Sequence, residues 1–141
     1  MGSGALAAVS TSQLLSGLAG LALAARRRTP SDPVGVHLHV PRDHIVRSSV
    51  VLGTGQSAPM VMMALQAWAT LRVARADDPR AVRVLRSLGA VMVGGYLVER
   101  ASPLWPGHRD AVATPVFVAG LAGAVAMAVL ARPGAASRVA A

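Results

Sequence analysis

Residues 111–131 read AVATPVFVAGLAGAVAMAVLA, a run without one charged side chain. A water-exposed helix of that length interrupts its outer face with charge, whereas a bilayer core of about 30 Å takes some 20 apolar residues. Lipid offers no partner to backbone N–H and C=O groups, so the run is expected to be a spanning helix that bonds internally. Working outward, Gly4–Ala25 and Val50–Leu71 are uncharged in the same way, and Ser87–Val98 is a shorter block of the kind. All 14 arginines stand between or beyond these blocks.

The pattern predicts an all-α fold, a polytopic transmembrane helix bundle of four spans forming a single integral membrane domain over residues 1–141. The spans fall at approximately 4–25, 50–71, 80–100 and 111–131, with a polar loop at 26–49. The third is marginal. Asp78-Pro79 is a good helix start, with the aspartate as cap and proline at the first helical position. Arg80, Arg83 and Arg86 nevertheless fall inside its first turns, and an arginine at a helix centre costs about 2.5–3.5 kcal/mol on insertion scales, so Arg86 must snorkel or face protein.

Composition agrees. At 141 residues the chain has room for one domain, and only 14% of it is charged, against about 25% in soluble domains. Mean hydropathy is +0.50. The net charge of +8 would suggest nucleic acid if the basic residues formed one patch. They sit at block edges instead, so the partner expected is the lipid bilayer, with anionic headgroups met through arginine, and no nucleic acid. Lysine is absent and Ala, Val and Gly are in excess, which points to a GC-rich, bacterial genome and to a multi-pass protein of the bacterial inner membrane. Cysteine is absent too, which removes thiolate chemistry.

The first block has no basic residue before it, and Arg26, Arg27 and Arg28 follow it. That order favours a retained helix over a cleaved signal peptide, although Ala22-Leu23-Ala24 resembles a cleavage site. Alternating crossings place seven arginines on each side of the membrane. Positions 26, 27, 28, 42, 47, 100 and 109 face one way and 72, 75, 80, 83, 86, 132 and 138 the other. The positive-inside rule is tied, with the first helix favouring both termini outside. The tie also admits insertion in both orientations and antiparallel pairing of two copies.

Helical spacing gives each clear span a face meant for protein. Ser10, Gln13, Gly17, Gly20 and Ala24 share one on the first span; Ser49, Gln56, Pro59, Met63, Gln66 and Thr70 share one on the second; Gly120, Gly123, Ala124 and Met127 share one on the fourth. Small residues at this spacing let helix backbones approach, and Gly17, Gly20, Gly120 and Gly123 are the packing positions expected. Pro59 predicts a kink with a freed carbonyl near Gly55.

Three groups are candidates for chemistry. His37 and His39, on one side of an extended segment, with Asp43 and His44 offer imidazoles and a carboxylate suited to zinc, copper or nickel; their spacing fits no metal template, and a solvated loop explains them. Glu99 is the only glutamate and shares a face with Leu88, Met92 and Gly95. A carboxylate inside a bundle is a candidate for proton relay, but Glu99-Arg100 before Pro103, Trp105 and Pro106 also reads as an interfacial boundary. Gln56 and Gln66 are a possible intramembrane polar site or hydrogen-bonding glue between helices. No cofactor motif and no catalytic constellation is legible.

In size and span count the chain resembles small multidrug transporters. Those proteins carry their essential glutamate in the first span, where Gly4–Ala25 has no acidic residue, so the resemblance assigns no family. The function expected is that of a non-enzymatic helix-packing subunit or accessory protein, joined to itself as a homo-oligomer or to a larger membrane partner. The alternative is a small homo-oligomeric transporter or channel-like protein using Glu99 and the Gln56/Gln66 stripe.

Overall fold

The computed structural model describes residues 3–27, 58–99, 103–104, 107 and 109–131. These form four helices, α1 (Ser3–Arg27), α2 (Met60–Arg75), α3 (Pro79–Val98) and α4 (Ala113–Leu130), and among the described residues there is no strand. Helices α1, α3 and α4 are long and apolar enough to cross a membrane. The chain has the helices of a small multi-pass membrane protein.

The marginal segment of the sequence is one of these three. Helix α3 runs 20 residues, about 30 Å at 1.5 Å per residue, because Asp78 and Pro79 start it where the sequence places a start. The Asp78 carboxylate accepts hydrogen bonds from the N–H groups of Arg80 and Ala81 at 2.9 and 3.4 Å. Arg80, Arg83 and Arg86 are all exposed, so Arg86 does not face protein, and of the two ways to meet its cost snorkelling to the headgroups is the one left. Helix α2 differs from its expected span at the start. Ala58 and Pro59 are not helical, and the first helical bond runs from the Met63 N–H to the Pro59 carbonyl at 3.1 Å. Proline thus precedes the described helix, where its missing N–H costs nothing, and the kink expected toward Gly55 falls on residues outside the described ones. Gly55 and Gln56 lie outside the described residues.

Opposed residues fix the topology. Ser10, Gln13 and Gly17 of α1 face Thr70, Gln66 and Met63 of α2. Gly89 and Tyr96 of α3 face Ala124 and Gly120 of α4, and Gln13 rests on Gly123. Each pair runs antiparallel, giving an up-down-up-down ring in which α4 closes on α1. One end, the turn end, carries Ser3, the short turn 76–78 and Ala131; the other, the loop end, carries Arg27, Pro59, Glu99 and Asp110. This alternation is the one that the seven-against-seven arginine count assumes.

Among the described residues two charged clamps tie the ring, one at each end. At the turn end Arg72, in the last turn of α2, binds one oxygen of Asp78 through Nε at 3.0 Å and Nη2 at 2.9 Å. At the loop end Arg27, the last residue of α1, lies 3.0 Å from Asp110, whose carboxylate accepts from the N–H groups of Val112 and Ala113 at 2.9 and 2.7 Å. Arginine at a helix C-terminus and aspartate at a helix N-terminus each complement a macrodipole. Arg72, then the Arg80 N–H, hold the Asp78 carboxyl below its ordinary value. For Asp110 the Ala113 and Val112 N–H groups come first and Arg27 after them.

Large apolar side chains lie on the outside as well as in the core. Leu15, Val61, Leu71, Val91 and Val118 are more than half exposed, and exposed large apolar side chains occur on all four helices. Ser10, Gln13 and Gln66 are almost completely buried, together with Leu85, Phe117 and Met127. An apolar coat round the whole circumference is an aggregation hazard in water and the natural surface in lipid.

Candidate functional site

The buried polar residues gather into one seam between α1 and α2. The Thr70 hydroxyl donates to the Gln66 carbonyl one turn back at 2.7 Å. Its proton is therefore spent, and in the 2.7 Å contact with Ser10 Oγ the serine donates. Gln66 Nε2 donates to the Ser10 carbonyl at 2.9 Å and to Gln13 Oε1 at 2.7 Å; Ser10 Oγ at 3.2 Å and the Met127 sulfur at 3.6 Å flank the same nitrogen. A backbone carbonyl only accepts, so the Ser10 carbonyl fixes which end of the Gln66 amide faces α1. The cost falls on the other end. Gln66 Oε1 is buried without a hydrogen-bond partner among the described residues, an arrangement worth about 1–3 kcal/mol of desolvation.

The seam continues across the bundle. The Gln13 side chain also lies against the hydroxyl of Tyr96 on α3, and the Tyr96 ring meets Phe117 of α4 edge-on, with centroids 5.0 Å apart and planes at 86°. Glycines make room for both polar side chains. A β-carbon on Gly120 would collide with the Tyr96 hydroxyl, and one on Gly123 would stand 2.7 Å from Cβ of Gln13. Gly120 thus admits a side chain from α3, whereas Gly123 also brings the α4 and α1 backbones close, as the sequence suggested, with the Gln13 Cα 3.2 Å from an added β-carbon. The tightest backbone approach occurs at a glycine outside the small-residue stripes: a β-carbon on Gly89 would lie 2.8 Å from both the Ala124 carbonyl oxygen and the Ala128 nitrogen.

Of the residues singled out in the sequence, Gly17, Gly20, Gly120 and Gln66 are buried and Gly123 is half-buried. Gly17 faces Met63, whose sulfur would be 3.1 Å from an added β-carbon. Glu99 is buried with 7% exposure at the loop end of α3, and it is engaged there. Counted from the turn end, Glu99 stands twenty positions beyond Pro79 and Gln66 nine before Arg75, so roughly 16 Å separates them along the axis. Gly95, on the Glu99 face, is exposed. Gln56, His37, His39, Asp43 and His44 lie outside the described residues, and no group of three metal-ligating side chains occurs among the described ones. Tyr96, the only tyrosine, is the member of the seam that sequence reading missed; its signal was a lone polar aromatic one turn before Glu99.

Compared with known proteins, the chain matches no family model, no curated protein and no solved structure.

Proposed function

We propose that this protein is a non-enzymatic packing subunit of a bacterial inner membrane, assembling with itself or with a larger membrane partner. The observation that carries the reading is how the buried polar groups are used. Ser10, Gln13, Gln66 and Thr70 bond to one another and to helix backbone, so apart from the orphaned Gln66 Oε1 the groups of this seam are spent in holding helices together. The face available to a partner lies on α3, where Ala90 and Gly94, four residues apart, are both exposed and open space lies over Gly94 and Gly95. Small residues at that spacing let a second helix come close.

Gly94→Leu tests it. The side chain enters open space, so the bundle keeps its helix content while the assembled form, measured by light scattering in detergent and by crosslinking in membranes, falls to the monomer. Unchanged assembly in that variant and in Ala90→Leu would remove the reading. A second reading, a small proton-coupled transporter or channel-like oligomer, draws on burial of the Glu99 carboxyl. It expects Glu99→Gln to abolish transport and leave assembly intact, whereas a packing subunit keeps both its assembly and its phenotype.

A further inference from the structure

We propose that the groove between α2 and α3 at the turn end is a seat for one anionic phospholipid. The groove has a volume of about 450 Å³, and its wall is formed by Leu65 of α2 and by Val84, Ser87, Leu88 and Val91 of α3, with Arg80 and Arg83 at the end nearest the turn. From Arg80 to Val91 is eleven residues of helix, about 16 Å, which is the depth of one leaflet of a 30 Å hydrocarbon core. The site is thus amphiphilic along its length in the same sense as a lipid: cationic where headgroups lie and, apart from the Ser87 hydroxyl one turn beyond Arg83, apolar down to the bilayer centre.

Charge complementarity selects the occupant. Among the described residues no carboxylate pairs with Arg80 or Arg83: of the two acidic residues just before them, Asp78 is taken by Arg72 and Asp77 is exposed and pairs with neither. Arg83 touches only the Pro79 carbonyl through Nε, at a long 3.4 Å, which leaves the outer edge of its guanidinium for a phosphate. Positions 80 and 83 are neighbours on one helix face, and both side chains line the same end of the groove, within reach of one headgroup. A zwitterionic headgroup brings its own cation to that site and an anionic one does not. The inference rests on membrane embedding but not on the assembly role proposed above, so either can fail alone.

The test uses the full chain in nanodiscs of equimolar palmitoyl-oleoyl phosphatidylglycerol and phosphatidylcholine, with bound lipid read by native mass spectrometry at low salt. At roughly fivefold per arginine, one phosphatidylglycerol should be retained over phosphatidylcholine by about 25-fold. Arg80→Gln with Arg83→Gln should abolish the preference, and Arg109→Gln, at the loop end, should leave it. Val91→Trp, at an exposed position, should also lose the lipid by filling the groove while keeping both arginines. Equal retention of the two lipids, or equal loss in the Arg109 control, overturns the proposal. So does retention in Val91→Trp or displacement by inorganic phosphate, either of which means an ion at a basic edge. A change of oligomeric mass in Val91→Trp with lipid binding intact overturns it as well, by giving the groove to a protein partner.

Discussion

The two halves of the ring solve the same packing problem with opposite chemistry. Helices α1 and α2 are joined by hydrogen bonds among Ser10, Gln13, Gln66 and Thr70. Helices α3 and α4 are joined by bringing the Gly89 backbone against that of Ala124 and Ala128 and by the Tyr96–Phe117 ring pair. In lipid neither seam gains from hydrophobic sequestration, since the tails are as apolar as leucine. The polar seam is directional and tolerates side chains of moderate size. The small-residue seam gains dispersion by proximity and tolerates nothing added. The same sized substitution should therefore cost unequal amounts on the two sides.

The largest effect is expected at Gly89. Even Gly89→Ala sets a methyl 2.8 Å from backbone atoms of α4, which no rotamer change relieves, so α3 and α4 must part. Overpacking of this kind costs about 1–3 kcal/mol or more, and we expect the upper end, read as a fall in unfolding free energy in mixed micelles. Gly94→Ala, one turn on in open space, should change stability by less than about 0.5 kcal/mol. Equal effects at the two glycines would mean that α3 does not pack on α4 in this register.

Gln66→Leu comes next. It removes the two strong donations to Ser10 and Gln13 but also the orphaned Oε1. Hydrogen bonds between membrane helices average about 0.6 kcal/mol, with a maximum near 1.7, so a loss of about 1–2 kcal/mol is expected. In a double-mutant cycle with Gln13→Leu the coupling should exceed about 0.5 kcal/mol; additivity would show that the amides do not bond. Ser10→Ala should cost about 0.6 kcal/mol, below both.

This asymmetry was only half legible in the sequence. The buried stripe of α1 follows from a 3.6-residue period applied to Ser10, Gln13, Gly17, Gly20 and Ala24, all of which are buried. Periodicity says which face turns inward but not which helix meets it, so the Gln13–Gln66 bond and the reach of Tyr96 to Gln13 needed the fold. Gly89 went unseen for a related reason: the residues four away, Leu85 and Val93, are large, so α3 shows no small-residue repeat there. The small partners, Ala124 and Ala128, stand on the other helix. The cap at Asp78 was legible because Asp-Pro is a local signal, while the role of Asp110 as a clamp for Arg27 depends on closure of the ring.

The smallest effect concerns how the two halves are tied together. Arg72–Asp78 joins α2 to α3 across six residues, and Arg27–Asp110 joins α1 to α4 across most of the chain. Both aspartates have folded values below the ordinary 3.8. Their contribution is thus fully present above that unfolded value and is lost as pH falls through the folded ones. Unfolding followed from pH 6 downward should show a loss beginning near pH 4, reduced in Asp78→Asn and in Asp110→Asn. The clamps should respond differently to loss of their arginines. Arg72 is the leading cause of the lowered value at Asp78, whereas backbone N–H groups lead at Asp110 and survive removal of Arg27. Arg72→Gln should therefore move the Asp78 titration, read by carboxyl carbon chemical shift, further than Arg27→Gln moves that of Asp110. The reverse order would mean that the distant clamp, rather than the local turn, carries the charge pairing between the two halves.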